Sequence, residues 1–325
     1  MHPTFSVIFL TTLIGAGQGL FLALYSGQLY STVKLLPGQD PVQFYALGSL
    51  LALVLLVAGL FASFFHLGRP ERAWRTAARW RTSWLSREVI ALPAMMGVVA
   101  AWGLVHYTGW DPILTTVGDG TVVSLSLILG AAGTLVCFAL FVCTGMIYAC
   151  IKMLQEWATP LTVINYILFG GASGWALATA FAAWQGPGMV PFFGAWAIIL
   201  TVAALVTRSA SLWRNARIKH KSNINTAIGI RHARIEQKGQ GAMAGSFNTR
   251  EYFHGASERK YKSIKWYFLV LVFPLPLCLL AAGLSLQAPG LLLAAFLVQY
   301  VGLLMERWFF FAQANHPQNL YYQTV

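Results

Sequence analysis

Charge is what this sequence has least of. Asp, Glu, Lys and Arg together make up 10% of its 325 residues, against about 25% in a soluble domain. That scarcity, with 57% hydrophobic residues, excludes a soluble enzyme and a disordered chain. Cysteine is sparse too. Cys137, Cys143, Cys150 and Cys278 all lie in apolar stretches and form no CxxC pair. A disulfide-stapled secreted domain is excluded, and neither a zinc site nor a four-cysteine cluster is on offer. The four read as small membrane-helix residues. Facing histidines are also lacking: of seven, only His66 and His106 lie near apolar runs, and they fall at opposite membrane faces. Bis-histidine haem therefore has no ligand pair, and no metal is expected. There is no internal repeat of the kind that builds transporters from inverted halves.

What the chain does have is long runs of Leu, Ala, Val, Phe and Gly. Broken at charges, prolines and turn residues, they give eight spans at approximately 5–33, 44–66, 87–108, 122–150, 160–184, 190–211, 265–287 and 289–312. The expected fold is an all-α integral membrane protein, a bundle of eight transmembrane helices. Several spans exceed the roughly twenty residues needed to cross, so tilt is expected. The first begins almost at Met1 with no Lys or Arg ahead of it, which favours a true first helix over a cleaved signal peptide. The chain divides into spans one to six over 1–211, a long basic loop over 212–264, and the last two spans with a tail over 265–325.

The basic residues are distributed unevenly. Arg69, Arg72, Arg75, Arg79, Arg81 and Arg87 join spans two and three, and thirteen more, from Arg208 to Lys265, join spans six and seven. Eight spans put both connections, both termini, Lys152 and Arg307 on one face. The other face keeps Lys34, with Asp40, Asp111 and Asp119. Lys and Arg collect in the cytoplasm, so the basic face and both termini are expected there, in a bacterial inner membrane. The net charge of +12 follows from this topology, and no nucleic-acid partner is needed to explain it.

The most informative connection runs His66-Leu-Gly-Arg-Pro-Glu-Arg-Ala-Trp74 and on through Trp80-Arg-Thr-Ser-Trp-Leu-Ser-Arg-Glu88. Its Arg and Trp residues suit a membrane–water interface. His66 closes span two and Glu88 opens span three at the same depth. A carboxylate there is costly unless it faces its neighbours. Quinone reduction needs hydrogen-bond donors to two carbonyls and a proton route from water. His66 can supply a donor and a proton near neutral pH, Glu88 a relay, and the adjacent Arg residues a positive field. From spacing alone, a structural His–Glu–Arg network locking two helices explains these residues at least as well.

Other features are weaker. The 212–264 loop, with Thr226–His232 and Gly245–Gly255, is far longer than an ordinary helix connection and carries Phe247, Tyr252, Phe253 and Tyr261. It reads as a docking surface for a cytoplasmic partner, joined by the tail from Ala314 to Gln323. Gly15–Gly19 and Gly170–Gly174 read as close helix contacts, Pro274 and Pro276 as a kink in span seven, and Glu306 as paired with Arg307.

The motif His66-Leu-Gly-Arg-Pro, the Arg/Trp run ending in Ser86-Arg-Glu88, and eight spans with both ends on one side resemble the membrane anchors of the dimethyl sulfoxide reductase family over essentially the whole chain. The long loop and the tail His316-Pro-Gln-Asn-Leu-Tyr-Tyr look most like its sulfite:quinone oxidoreductase branch. The resemblance implies a quinone (ubiquinone or menaquinone) bound by this chain with no covalent cofactor. It further implies a partner with four [4Fe–4S] clusters docked on the cytoplasmic face, and a catalytic partner carrying molybdenum on two pterin guanine dinucleotides. It assigns the quinone site to His66 and Glu88, with Gly68 and Arg72 in the same loop; Arg69 stands where some members carry a small polar residue. The implied activity is sulfite oxidation in the catalytic partner, with electrons passed to quinone. The alternatives are a quinol-oxidising anchor of a dimethyl sulfoxide or polysulfide reductase and, more remotely, a transporter without redox partners.

Overall fold

The computed structural model describes residues 5–118, 121–219, 225–226, 229–232 and 257–314. Eight helical stretches among them are long and apolar enough to cross a membrane. They are α1 (Phe5–Thr32), α2 (Leu47–Phe64, entered through a π-helical turn at Pro41–Ala46), α3 (Trp84–Thr108), α4 (Leu125–Ala149), α5 (Pro160–Gln185), α6 (Val190–Asn215), the pair α7 (Glu258–Val272) and α8 (Pro274–Ser285), and α9 (Pro289–Gln313). Asp119, most of the 212–264 loop, and the tail beyond Ala314 lie outside the described residues.

Local chemistry sets the helix ends. The Asp40 carboxylate accepts from the backbone N–H groups of Val42 and Gln43 and starts the second span. Ser83 accepts from the Ser86 N–H, so α3 begins at Trp84, three residues before the apolar run alone suggests. The fourth span starts later than expected, at Leu125, because the preceding residues form a hairpin. In it, β1 (Ile113–Val117) pairs antiparallel with β2 (Thr121–Ser124), and Gly118 turns with φ +56°. Asp111 fastens the hairpin to the membrane helix, accepting from the N–H and hydroxyl of Ser126 at 2.8 and 2.7 Å. Pro274 lacks an N–H and forces the residue before it out of helical geometry, so span seven breaks at Phe273 (φ −116°, ψ −81°). Helix also enters both ends of the long loop, since α6 runs on to Asn215 and α7 is capped by Ser257.

Helices α1 and α5 are the inner pair: 78% and 72% of their apolar windows are buried, against 28–39% in the other spans. The two glycine clusters explain why these two can sit together at the centre. They are each other's partners: a Cβ on Gly19 would collide with the backbone of Gly170 and Gly174, and one on Gly174 with the backbone of Gly19 and Leu20. Lipid supplies no hydrophobic drive between helices, so close backbone contact of this kind is what joins them. At the basic end, Ile8 of α1 packs with Trp157, Phe310 and Phe311, which places the start of α1 beside the end of α9.

A methyl group at position 174 meets backbone, which cannot rotate aside. Gly174→Ala should therefore lower the thermal unfolding midpoint of the detergent-solubilised protein, at a cost of about 1–3 kcal/mol. Gly97→Ala, whose Cβ meets nothing within 4 Å, should leave it unchanged. Equal midpoints for the two variants would refute the crossing as the anchor of the bundle.

Candidate functional site

The connection between α2 and α3 is itself ordered. Pro70 opens a 3₁₀ segment, Pro70–Arg79, none of whose residues is buried. Tryptophans and arginines stack along it, with Arg75 over Trp74 at 5.5 Å, Arg81 over Trp80 at 5.4 Å and Arg87 over Trp84 at 4.1 Å. Arg87 also donates to the carbonyls of Trp80 and Arg81, both at 2.9 Å, and so clasps the loop to the start of α3. Its guanidinium is a structural clamp rather than a free charge. Gly68, Arg69 and Arg72 are placed differently. Gly68 has open space around it. Arg69 and Arg72 are exposed, and Arg72 reaches only Glu71, at 3.9 Å. An exposed pair at that distance contributes little.

His66 lies just past the end of α2. Its Nδ1 is 3.3 Å from the Ser6 hydroxyl of α1, which leaves Nε2 for another partner. Desolvation lowers its pKa below the ordinary histidine value, so the neutral ring prevails near pH 7. Glu88, by contrast, is buried, and faces α4, where the Thr144 hydroxyl donates to its carboxylate at 2.5 Å. No hydrogen bond or ion pair joins His66 to Glu88 among the described residues. The two residues flank the α2–α3 connection, one at its surface and one inside the bundle.

The polar groups around Glu88 are mostly ones that apolar-run reading passes over. Beside Thr144 lies a cavity of about 20 Å³ lined by Thr11, Thr12 and Gln18 of α1, Tyr166 and Ser173 of α5, and Arg307 of α9. That is room for one water, with several polar partners to hold it. The Arg307 guanidinium sits 4.1 Å over the Tyr166 ring and pairs with Glu306 at 2.8 Å. Glu306 also pairs with Arg208 of α6 at 2.8 Å. All three charges are buried. The expected Glu306–Arg307 pair is therefore part of a triad. Arg208, counted from sequence among the loop charges, belongs inside the bundle. At the opposite end, Trp102 donates to Gln28, Gln28 to Ser126, and Ser126 to Asp111, with His106 buried alongside.

The model of the DMSO reductase anchor (DmsC) family matches residues 1–322. The chain belongs to this family. It is also 58% identical to a subunit of the sulfite dehydrogenase of Allochromatium vinosum, over 325 residues that cover all of both chains. Membership in the anchor family sets the transporter alternative aside. This DmsC anchor is a multi-pass membrane protein with its basic residues gathered at one end of the bundle.

In this anchor the Arg87 clamp should be measurable by hydrogen exchange. Arg87→Ala should raise amide exchange across residues 80–83, removing about 1 kcal/mol of protection. Wild-type exchange in that stretch would show that the loop holds its shape without the clamp.

Proposed function

We propose that the chain is the quinone-reducing anchor of a sulfite dehydrogenase. It would hold the complex in a bacterial inner membrane and pass electrons from sulfite to the quinone pool. The observation that carries this reading is the full-length 58% identity to a sulfite dehydrogenase subunit. Sulfite chemistry belongs to a molybdopterin partner. A partner with four iron–sulfur clusters docks on the basic face, which is cytoplasmic by its excess of Lys and Arg. Residues 212–264 and the C-terminal tail form part of that docking surface.

The side chains suit a quinone headgroup. His66, in the tautomer in which Nδ1 accepts from Ser6, offers an Nε2–H to one carbonyl. Glu88, held by Thr144, supplies protons from within. Arg69 and Arg72, exposed on the loop, add positive charge to the face where the partner docks, and Gly68 leaves open space next to His66. Bound quinone takes up two electrons and two protons, and becomes quinol. A second reading, a quinol-oxidising anchor of a dimethyl sulfoxide or polysulfide reductase, draws on the match to the DMSO reductase anchor family. It uses the same residues with electron flow reversed.

His66→Ala in the purified complex should cut sulfite-dependent reduction of a soluble quinone analogue by on the order of 10²-fold. Sulfite oxidation with an artificial acceptor should stay at the wild-type rate. Unchanged quinone kinetics would remove His66 from the site. A complex that ignores sulfite but oxidises quinol would favour the second reading.

A further inference from the structure

We propose that protons reach Glu88 from inside the bundle, along a water-bearing polar path that enters beneath the α4–α5 connection at Glu156 and passes Arg307 and Thr144. The proposal rests on the reading of Glu88 as proton donor to quinone. It says where that carboxyl gets its protons.

Three observations carry it. First, Glu88 is 7% exposed, and the residue whose hydroxyl holds it, Thr144, also lines the 20 Å³ cavity. The carboxyl is thus shut off from the surface while joined to an internal water site. Second, Arg307 lines that cavity and also a second one of about 10 Å³, whose walls include Glu156, Asn165, Ser211 and Glu306. Arg307 Nη1 is buried without a hydrogen-bond partner. A buried cationic donor left in that state calls for water, and both cavities are of water size. Third, the outer cavity is roofed by a short segment tied down from α6: Arg214 donates to the Gln155 carbonyl at 3.0 Å, and Asn215 to the Glu156 carbonyl at 3.4 Å. Glu156, itself 7% exposed, lines the outer cavity beneath this roof.

Inward, the path ends at Gln18, whose amide donates to the Cys137 carbonyl at 2.8 Å. Beyond lie Phe21, Met95, Leu140 and Trp102, all fully buried. On that side the path meets an apolar layer.

Reduction of one quinone takes two electrons, supplied by the proposed iron–sulfur partner, and two protons. Each proton leaves the Glu88 carboxyl for a quinone oxygen. Thr144 then gives its hydroxyl proton to the carboxylate and takes another from the cavity water, which is replenished past Arg307 from the Glu156 end. The Arg208–Glu306–Arg307 triad keeps its charges paired throughout, and serves to position Arg307 between the two waters.

The test uses the intact complex, a soluble quinone analogue with sulfite as donor, and an artificial acceptor as control for electron delivery. Thr144→Val and Glu156→Gln should each slow quinone reduction by about 10²-fold and enlarge its solvent deuterium isotope effect. The artificial-acceptor rate should hold, and Thr144→Ser should restore both quinone readouts. Wild-type turnover and isotope effect in Thr144→Val and Glu156→Gln, with Glu88→Gln inactive, would overturn the path and leave the quinone site standing. Equal losses in Thr144→Val and Thr144→Ser would also overturn it, since only packing would then be at issue. Full turnover in Glu88→Gln would instead overturn the reading of the site on which the path depends.

Discussion

The bundle depends on the crossing of α1 and α5, where Gly15 and Gly19 meet Gly170 and Gly174 with backbone against backbone. Lipid tails are as apolar as leucine, so two membrane helices gain little by burying Leu against Leu. They gain by approaching closely enough for dispersion contacts and for short polar side chains to bridge. The glycines allow that approach, and their neighbours on the same faces are the polar ones. Thr11, Thr12 and Gln18 on α1 are thereby set against Tyr166 and Ser173 on α5. The same crossing that builds the core builds the water-sized cavity at its basic end.

That coupling also explains where buried charge is tolerated. An ionised group within a span is costly unless paired, and Arg208, Glu306 and Arg307 pair as a triad close to the basic end. Farther in, the interior turns apolar through Phe21, Met95, Leu140 and Trp102. Polar groups recur at Gln299 and Thr201, between α9 and α6, and at Gln28, Ser126 and His106 near the hairpin. Beside α1 an apolar layer thus separates the two end regions, and Glu88 belongs to the basic one.

The spans were legible because a bilayer demands a run of about twenty apolar residues, and such runs are hard to hide. Glu88 was legible for the converse reason: a lone carboxylate inside a span must face a neighbour. Which neighbour was not legible. Thr144 and Tyr166 sit in apolar runs, where a hydroxyl can satisfy its own helix, as Thr11 and Ser173 do, so nothing in one dimension marks them as shared lining. The glycine clusters stood out as contact surfaces, yet that they contact each other is a tertiary fact about residues some 150 positions apart. Helix ends moved where a single side chain outweighed the hydropathy trend, as at Ser83 and Asp111. Arg87 looked like a charge for a ligand because sequence shows a guanidinium but not the two carbonyls it holds.

His66 and Glu88 differ in a way that bears on how one anchor fold serves partners of opposite direction. His66 is a surface group tied loosely to α1, and Glu88 is an interior group tied to α4. A headgroup between them, on the proposed reading, exchanges electrons on the loop side and protons on the bundle side. Neither residue discriminates oxidised from reduced quinone by charge: a neutral imidazole can donate to a carbonyl or accept from a hydroxyl, and a carboxyl can give or take a proton. The direction of flow is then set by the potentials of the partners that dock on the basic face. On the proposed function, the two readings share every site residue, and what distinguishes them lies in the partners rather than in this chain's site.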